Sequence, residues 1–219
     1  MEQTQGLFSR YEAVVILDTE TSGLRYDLDE IIELAAVRLS LVDGEVALTQ
    51  EYDELIALSP GWRLNPRITQ LTGISEEDLK EFGIEKKRAC EDFARLIEGK
   101  RVLVAAYNAH FDLSFLYYLL SAHQMQSCLR PPDFLDILTV YKDRRDYPHK
   151  LKDAICAYDL QDQVVNSHRA LDDVKATVEV LRKMEQERND LCQYINLFGY
   201  NPKYGVEGKR IGSVCYRPQ

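Results

Sequence analysis

A β-branched apolar run, Tyr11 to Leu17 (YEAVVIL), reads as a strand at the centre of a sheet, and it ends on two acids, Asp18 and Glu20. Two residues apart on a continuing strand, their side chains point to the same face. Like charges so close repel, and burial strengthens the repulsion. A cation between them removes that penalty, and all-oxygen ligands suit magnesium or manganese. The alternative is an acidic strand end that is simply leaving the core.

The rest of the chain supplies a sheet for this strand. Ile31 to Leu39 (IIELAAVRL) has no clean period and fits strand or helix. The Asp43-Gly44 pair that follows is a hairpin turn into Glu45 to Tyr52, which favours strands on both sides. Ser75, followed by Glu76, Glu77 and Asp78, has the composition of a helix start. Further helices are expected over residues 86–97, 111–122, 151–157 and 169–187, and short strands over 102–106 and 134–137. Strands giving way to alternating strands and helices predict an α/β fold with a mixed sheet covered by helices. The expected organisation is an N-terminal extension (1–10), one domain (11–188) and a glycine-containing C-terminal extension (189–219) packed on or near it.

Composition narrows the function classes. With 219 residues and 45% apolar residues, the chain can bury a core without disulfides or a structural metal. Its five cysteines are scattered and lack Cys-x-x-Cys spacing, and no apolar segment reaches membrane-spanning length, so a cytoplasmic setting without membrane contact is expected. A net charge of −9 argues against a protein held on DNA by a broad basic surface. It does not exclude an enzyme that meets nucleic acid at one metal-loaded site. Residues 142–152 (KDRRDYPHKLK) and 201–219 are locally basic, either as solvated loops or as phosphate contacts.

Two more segments carry chemistry. Asp112 follows the second buried strand in Asn108-Ala109-His110-Phe111-Asp112, where serving a helix dipole would by itself account for it. His168-Arg169-Ala170-Leu171-Asp172-Asp173 opens the last long helix. There Asp172 shares a polar stripe with Lys175, Glu179 and Lys183, whereas Asp173 borders the arc of Val174, Thr177, Val180 and Leu181. An aspartate on a packing face needs a partner, which makes Asp173 the better ligand candidate. His168 is either an ordinary loop residue or a proton acceptor, histidine being the side chain that exchanges protons near neutrality. Four carboxylates suffice to hold two divalent ions, the arrangement that serves phosphodiester hydrolysis.

In this order, LDTETSGL, NAHFD and HRALDD, with the histidine five residues before Asp173, resemble the three motifs of the DEDDh exonucleases. That family includes the proofreading exonucleases of bacterial replicative DNA polymerases. The resemblance spans residues 11–185 and includes LTGISEEDL and LVAAYNAHFDLSFL between the motifs. It implies a ribonuclease H-like fold, a five-stranded mixed sheet flanked by helices. It also implies two magnesium or manganese ions on Asp18, Glu20, Asp112 and Asp173, and His168 as general base. Thr19, Thr21, Gly23 and Leu24 would border the terminal nucleotide, with Asn108, Ala109 and Phe111 along the penultimate one. The implied activity is 3′→5′ hydrolysis of single-stranded nucleic acid, DNA before RNA, releasing 5′-nucleoside monophosphates, with a polymerase or repair protein as an implied partner. The rival readings are RNA trimming and a nucleic-acid- or polymerase-binding module with little hydrolysis.

Overall fold

The computed structural model describes residues 5–198, 200–201 and 205–206. Lys203, Lys209, Arg210 and Cys215 therefore lie outside the described residues. Five strands form one sheet in the order β3-β2-β1-β4-β5. They are β1 (Ala13–Thr21), β2 (Ile31–Val42), β3 (Glu45–Leu55), β4 (Val102–Ala106) and β5 (Asp133–Asp136). β1 to β3 are antiparallel neighbours, whereas β4 runs parallel to both β1 and β5, so the sheet is mixed. This is the ribonuclease H-like arrangement expected from the motifs.

The hairpin between β2 and β3 has the predicted turn. Asp43 (φ 52°) and Gly44 (φ 84°) both adopt positive φ, as a tight hairpin of matching twist requires. Helices cover both faces. Val14, Ile16, Ala35, Val37, Leu103 and Ala105 pack under α6 (Ile137–Arg144), α7 (Leu151–Ala157) and α8 (Ala170–Glu187). Ala13, Val15, Leu17, Leu34, Ala36 and Val104 pack under α4 (Lys86–Leu96) and α5 (Ala109–Ala122). This alternation decides where β1 delivers its acids. A smaller cluster of Ile32, Leu64, Ile74 and Leu79 joins α2 (Pro66–Thr72) and α3 (Glu76–Glu81) to the sheet.

Described residues outside 11–188 also take part in the fold. The short helix α1 (Gln5–Phe8) places Leu7 in the core, and the Leu7 amide donates to Glu185 Oε1 at 2.9 Å. After α8, residues 191–198 lie against β5. The amide of Asn196 donates to the Phe134 carbonyl at 2.7 Å, and the Phe134 amide donates to Asn196 Oδ1 at 2.9 Å. Asn196 Nδ2 also donates to Asp133 Oδ1 at 2.8 Å. At Phe134 the outer edge of β5 is thereby paired within the chain instead of being left open. Asn196→Ala should destabilise the protein by about 1–3 kcal/mol, the cost of an orphaned buried N–H at Phe134, as read from urea unfolding.

The basic segment 142–152 is divided in its use. Arg144 is buried and donates to the Met184 carbonyl, with Glu187 and Asp190 as ion partners, while Arg145 pairs with Glu187 at 2.8 Å. Those two cations build the fold, and Lys150 and Lys152 remain exposed. Among the described residues no helix is long and apolar enough to cross a membrane, and Cys90, Cys128, Cys156 and Cys192 are free thiols.

Candidate active site and metal centre

The acids gather at the carboxyl ends of the parallel strands β1 and β4, where open α/β sheets commonly bind ligands. Asp18 and Glu20 continue the face of Val14 and Ile16, which lies under α8. Asp173, in the first turn of α8 and only 7% exposed, comes down on that face. Thr19 points the other way, toward α5. There its amide and hydroxyl both donate to Asp112 Oδ1, at 3.0 and 2.8 Å. Asp112 is 2% exposed. Thr19, expected beside the terminal nucleotide, thus holds an acid in place.

The ligand atoms of Glu20, His168 and Asp173 lie within 4.8 Å of one another, a group of the right size to hold one metal ion. Two of these three residues come from the segment His168–Asp173 and one from β1, which lies far away in sequence. Asp172 is separated from them as the helical face requires: it accepts from Ser167 Oγ at 2.6 Å.

Electrostatics shows how crowded the acids are. Burial, then Asp112, Glu20 and Asp173, pushes the Asp18 carboxyl well above the usual carboxylate range. Burial and the neighbouring Asp173, Glu33 and Asp112 push Glu20 up to about 8, against the pull of Arg169. Asp112 is raised by burial in spite of its Thr19 hydrogen bonds, and Asp173 by burial in spite of Asn166 and His168. Mutually repelling carboxyls that offer only oxygen donors fit a hard divalent cation.

The residues expected around the substrate differ in exposure, from buried Thr21 and Ala109 to exposed Leu24 and Asn108. Thr21 Oγ1 donates to the Gly23 carbonyl at 2.6 Å, which shapes the turn after β1. A Cβ on Gly23 would lie 2.4 Å from the Asp29 carboxylate, so a larger residue there would have to displace that side chain. Leu24 is 82% exposed and presents its apolar side chain to solvent. Asn108 opens α5 in a left-handed conformation, φ 71°. Ala109 is buried, with its amide on Asp136 Oδ1 at 3.1 Å, and Phe111 is half-buried against Phe115, ring centroids 4.9 Å apart.

Three supporting residues were not anticipated from the motifs. Glu33 on β2 is 1% exposed and holds Arg169 and the Ala170 amide at the start of α8. Asn166 Nδ2 donates to Asp173 Oδ1 at 2.7 Å. Asp136 accepts from Thr139 Oγ1 as well as from Ala109. Glu33 carried the same signal as Asp18, an acid inside an otherwise apolar strand.

Comparison with known proteins agrees with this geometry. Residues 15–181 match the RNase_T family model, described as Exonuclease. The PolC-type DNA polymerase III of Thermotoga petrophila is 32% identical over 170 residues, covering 76% of this chain and 11% of that protein. The DNA polymerase III subunit epsilon of Treponema pallidum is 28% identical over 177 residues, 78% of this chain and 76% of that subunit. The chain thus spans only about a tenth of the PolC-type polymerases it matches. Escherichia coli Exonuclease I in complex with a dT13 oligonucleotide superposes with TM-score 0.71 at 18% identity, covering 87% of this chain and 44% of that one, a likeness of fold. With the family model matching most of its length and the acidic motifs gathered at one end of the sheet, the chain belongs to the DEDDh exonucleases of the RNase T family.

Proposed function

We propose that this chain hydrolyses phosphodiester bonds at the 3′ end of single-stranded DNA, releasing 5′-nucleoside monophosphates one at a time. The observation that carries the proposal is the meeting of Glu20, His168 and Asp173 within 4.8 Å, beside Asp18 and Asp112. Binding a strand end requires no such cluster of mutually repelling carboxyls around an imidazole. The Exonuclease I structures that share the fold carry dA16 and dT13 oligonucleotides, which favours DNA here.

Asp18, Glu20, Asp112 and Asp173 would hold two divalent cations, magnesium or manganese. When bound, these would supply an activated water and stabilise the charge that grows on the phosphate. His168 accepts the proton of the attacking water through a ring nitrogen. Its imidazole is exposed and suits softer ions, so magnesium or manganese on the carboxylates leaves it available for that proton. Leu24 wedges against the terminal base, with Thr21 and the Gly23 turn beside its sugar. Phe111, next to exposed Asn108 and backed by Ala109, stacks on the penultimate base and reads shape more than sequence. A replicative polymerase is the partner class suggested by the PolC-type and epsilon relatives.

With magnesium or manganese, 5′-labelled single-stranded DNA should shorten stepwise from its 3′ end faster than a matched RNA. Faster loss of RNA would replace the substrate assignment. No shortening of either polymer with either ion would overturn the proposal in favour of a binding module. His168→Ala should lower kcat by about 100-fold or more, within the range for a lost general base, while leaving manganese affinity nearly unchanged. A defect confined to metal affinity would make His168 a ligand instead.

A further inference from the structure

Glu33 does more than the sheet requires of it. It pairs directly with Glu20 across β1 and β2, and it continues the face of Ala35 and Val37 that lies under α8. Two acids opposite each other on one covered face repel. A buried carboxylate persists in such a place only with its own counter-charge and hydrogen bonds.

Glu33 has both. Arg169 donates from Nε and Nη2 to Glu33 Oε1, at 2.9 and 2.6 Å, and the Ala170 amide donates to Oε2 at 2.8 Å. Arg169 and Ala170 are the two residues that follow His168. His168 has φ 59°, a left-handed conformation that a non-glycine residue keeps only when its surroundings impose it. On its other side, Asn166 is tied to Asp173 at 2.7 Å. The backbone is therefore pinned before and after the histidine, and Glu33 is the pin that reaches it from the strand pair bearing Asp18 and Glu20.

We infer that Glu33 is a positioning residue: through Arg169 and the Ala170 amide it fixes the backbone at His168 and the first turn of α8, and so sets His168 and Asp173 against Glu20. What those residues then do rests on the exonuclease reading above. A planar guanidinium with two N–H groups on one oxygen fixes direction as well as distance, which a lysine cannot match.

The test compares Glu33→Gln, Arg169→Ala, Arg169→Lys and the double variant Glu33→Gln/Arg169→Ala. It measures kcat and KM on a single-stranded oligonucleotide, manganese affinity by calorimetry, and the unfolding midpoint. Each of the two single losses should lower kcat by about 10- to 100-fold with KM little changed, the usual cost of a contact that supports a metal ligand. Because both act through one contact, the double variant should be no worse than the poorer single by more than about twofold. Arg169→Lys should recover part of the loss, and Glu33→Gln should bind manganese more weakly than the wild type.

Wild-type kcat in Glu33→Gln, or fully additive losses in the double variant, would overturn the inference. So would a kcat loss that follows a fallen unfolding midpoint while manganese affinity stays unchanged, since that marks a merely structural role. If the wild type binds manganese but hydrolyses nothing, the exonuclease reading fails by itself. Manganese affinity then decides this inference: weaker binding by Glu33→Gln upholds it and equal binding overturns it.

Discussion

Asp173→Ala should nearly abolish hydrolysis of a single-stranded oligonucleotide, while Asp172→Ala should keep most of it. The two residues are adjacent in sequence and identical in chemistry, so only geometry separates them. Asp173 lies on the covered face of α8, with its carboxyl in reach of Glu20 and His168. Asp172 faces outward and accepts one hydrogen bond from Ser167. Losing a direct ligand should exceed the roughly 100-fold upper end seen when only a supporting contact is lost. Losing an exposed polar contact is worth under about 1 kcal/mol, a factor of about 5 at most. Steady-state rates at saturating manganese decide the matter, and a reversed ranking would overturn the assignment of faces. The inactive Asp173→Ala protein should also unfold at a higher temperature than the metal-free wild type, since it removes one of several carboxyls forced together. Crowding of this kind is how a site trades stability for chemistry.

Local chemistry made much of this fold legible. Asp43-Gly44 specified its own turn, and Ser75 caps α3 in a reciprocal capping box with Asp78, so both were readable from a few residues. Asn65-Pro66 also carries its structure locally. In the structure Asn65 is the N-cap of α2, Pro66 its first residue and Gly73 its left-handed stop, a start-and-stop pattern that the sequence did contain. The helix α6, by contrast, was hidden. Its β-branched ILTV has strand propensity, and tertiary packing overrides it by burying Ile137, Val140 and Tyr141 against the sheet and Arg144 against the end of α8. Within the site, Asp18, Glu20 and Asp173 stood out because each is an acid where periodicity calls for packing. The clamp made by Glu33 did not, because its partners lie 136 and 137 residues away and spacing carries no information at that range.

Raising the pH should destabilise the metal-free protein and strengthen its response to metal. Glu20 is held up to about 8 in the folded chain, far above the ordinary glutamate value of 4.5, by burial and by Asp173, Glu33 and Asp112. Asp18, Asp112 and Asp173 are shifted in the same direction. Between the ordinary carboxylate range and about 8, the folded state therefore holds more protons than the unfolded one. Stability is fully present below that window and is lost as the pH rises through it, because each ionisation adds charge to a crowded site. A divalent cation binds the ionised form, so its stabilising effect should grow across the same window as protons are released. At about a hundredfold excess over its dissociation constant, one ion adds about 2.7 kcal/mol, or roughly 5–10 °C in a domain of this size. His110 works in the opposite sense, since burial lowers its value and folding gains as it deprotonates. The Glu20 contribution is therefore the difference between wild type and Glu20→Gln, each unfolded thermally in chelator and in manganese from pH 5 to 8.5. The wild type should lose stability with pH more steeply than Glu20→Gln in chelator, and gain more from manganese at the upper end. Parallel curves for the two proteins under both conditions would mean that Glu20 neither carries the buried proton nor meets the ion.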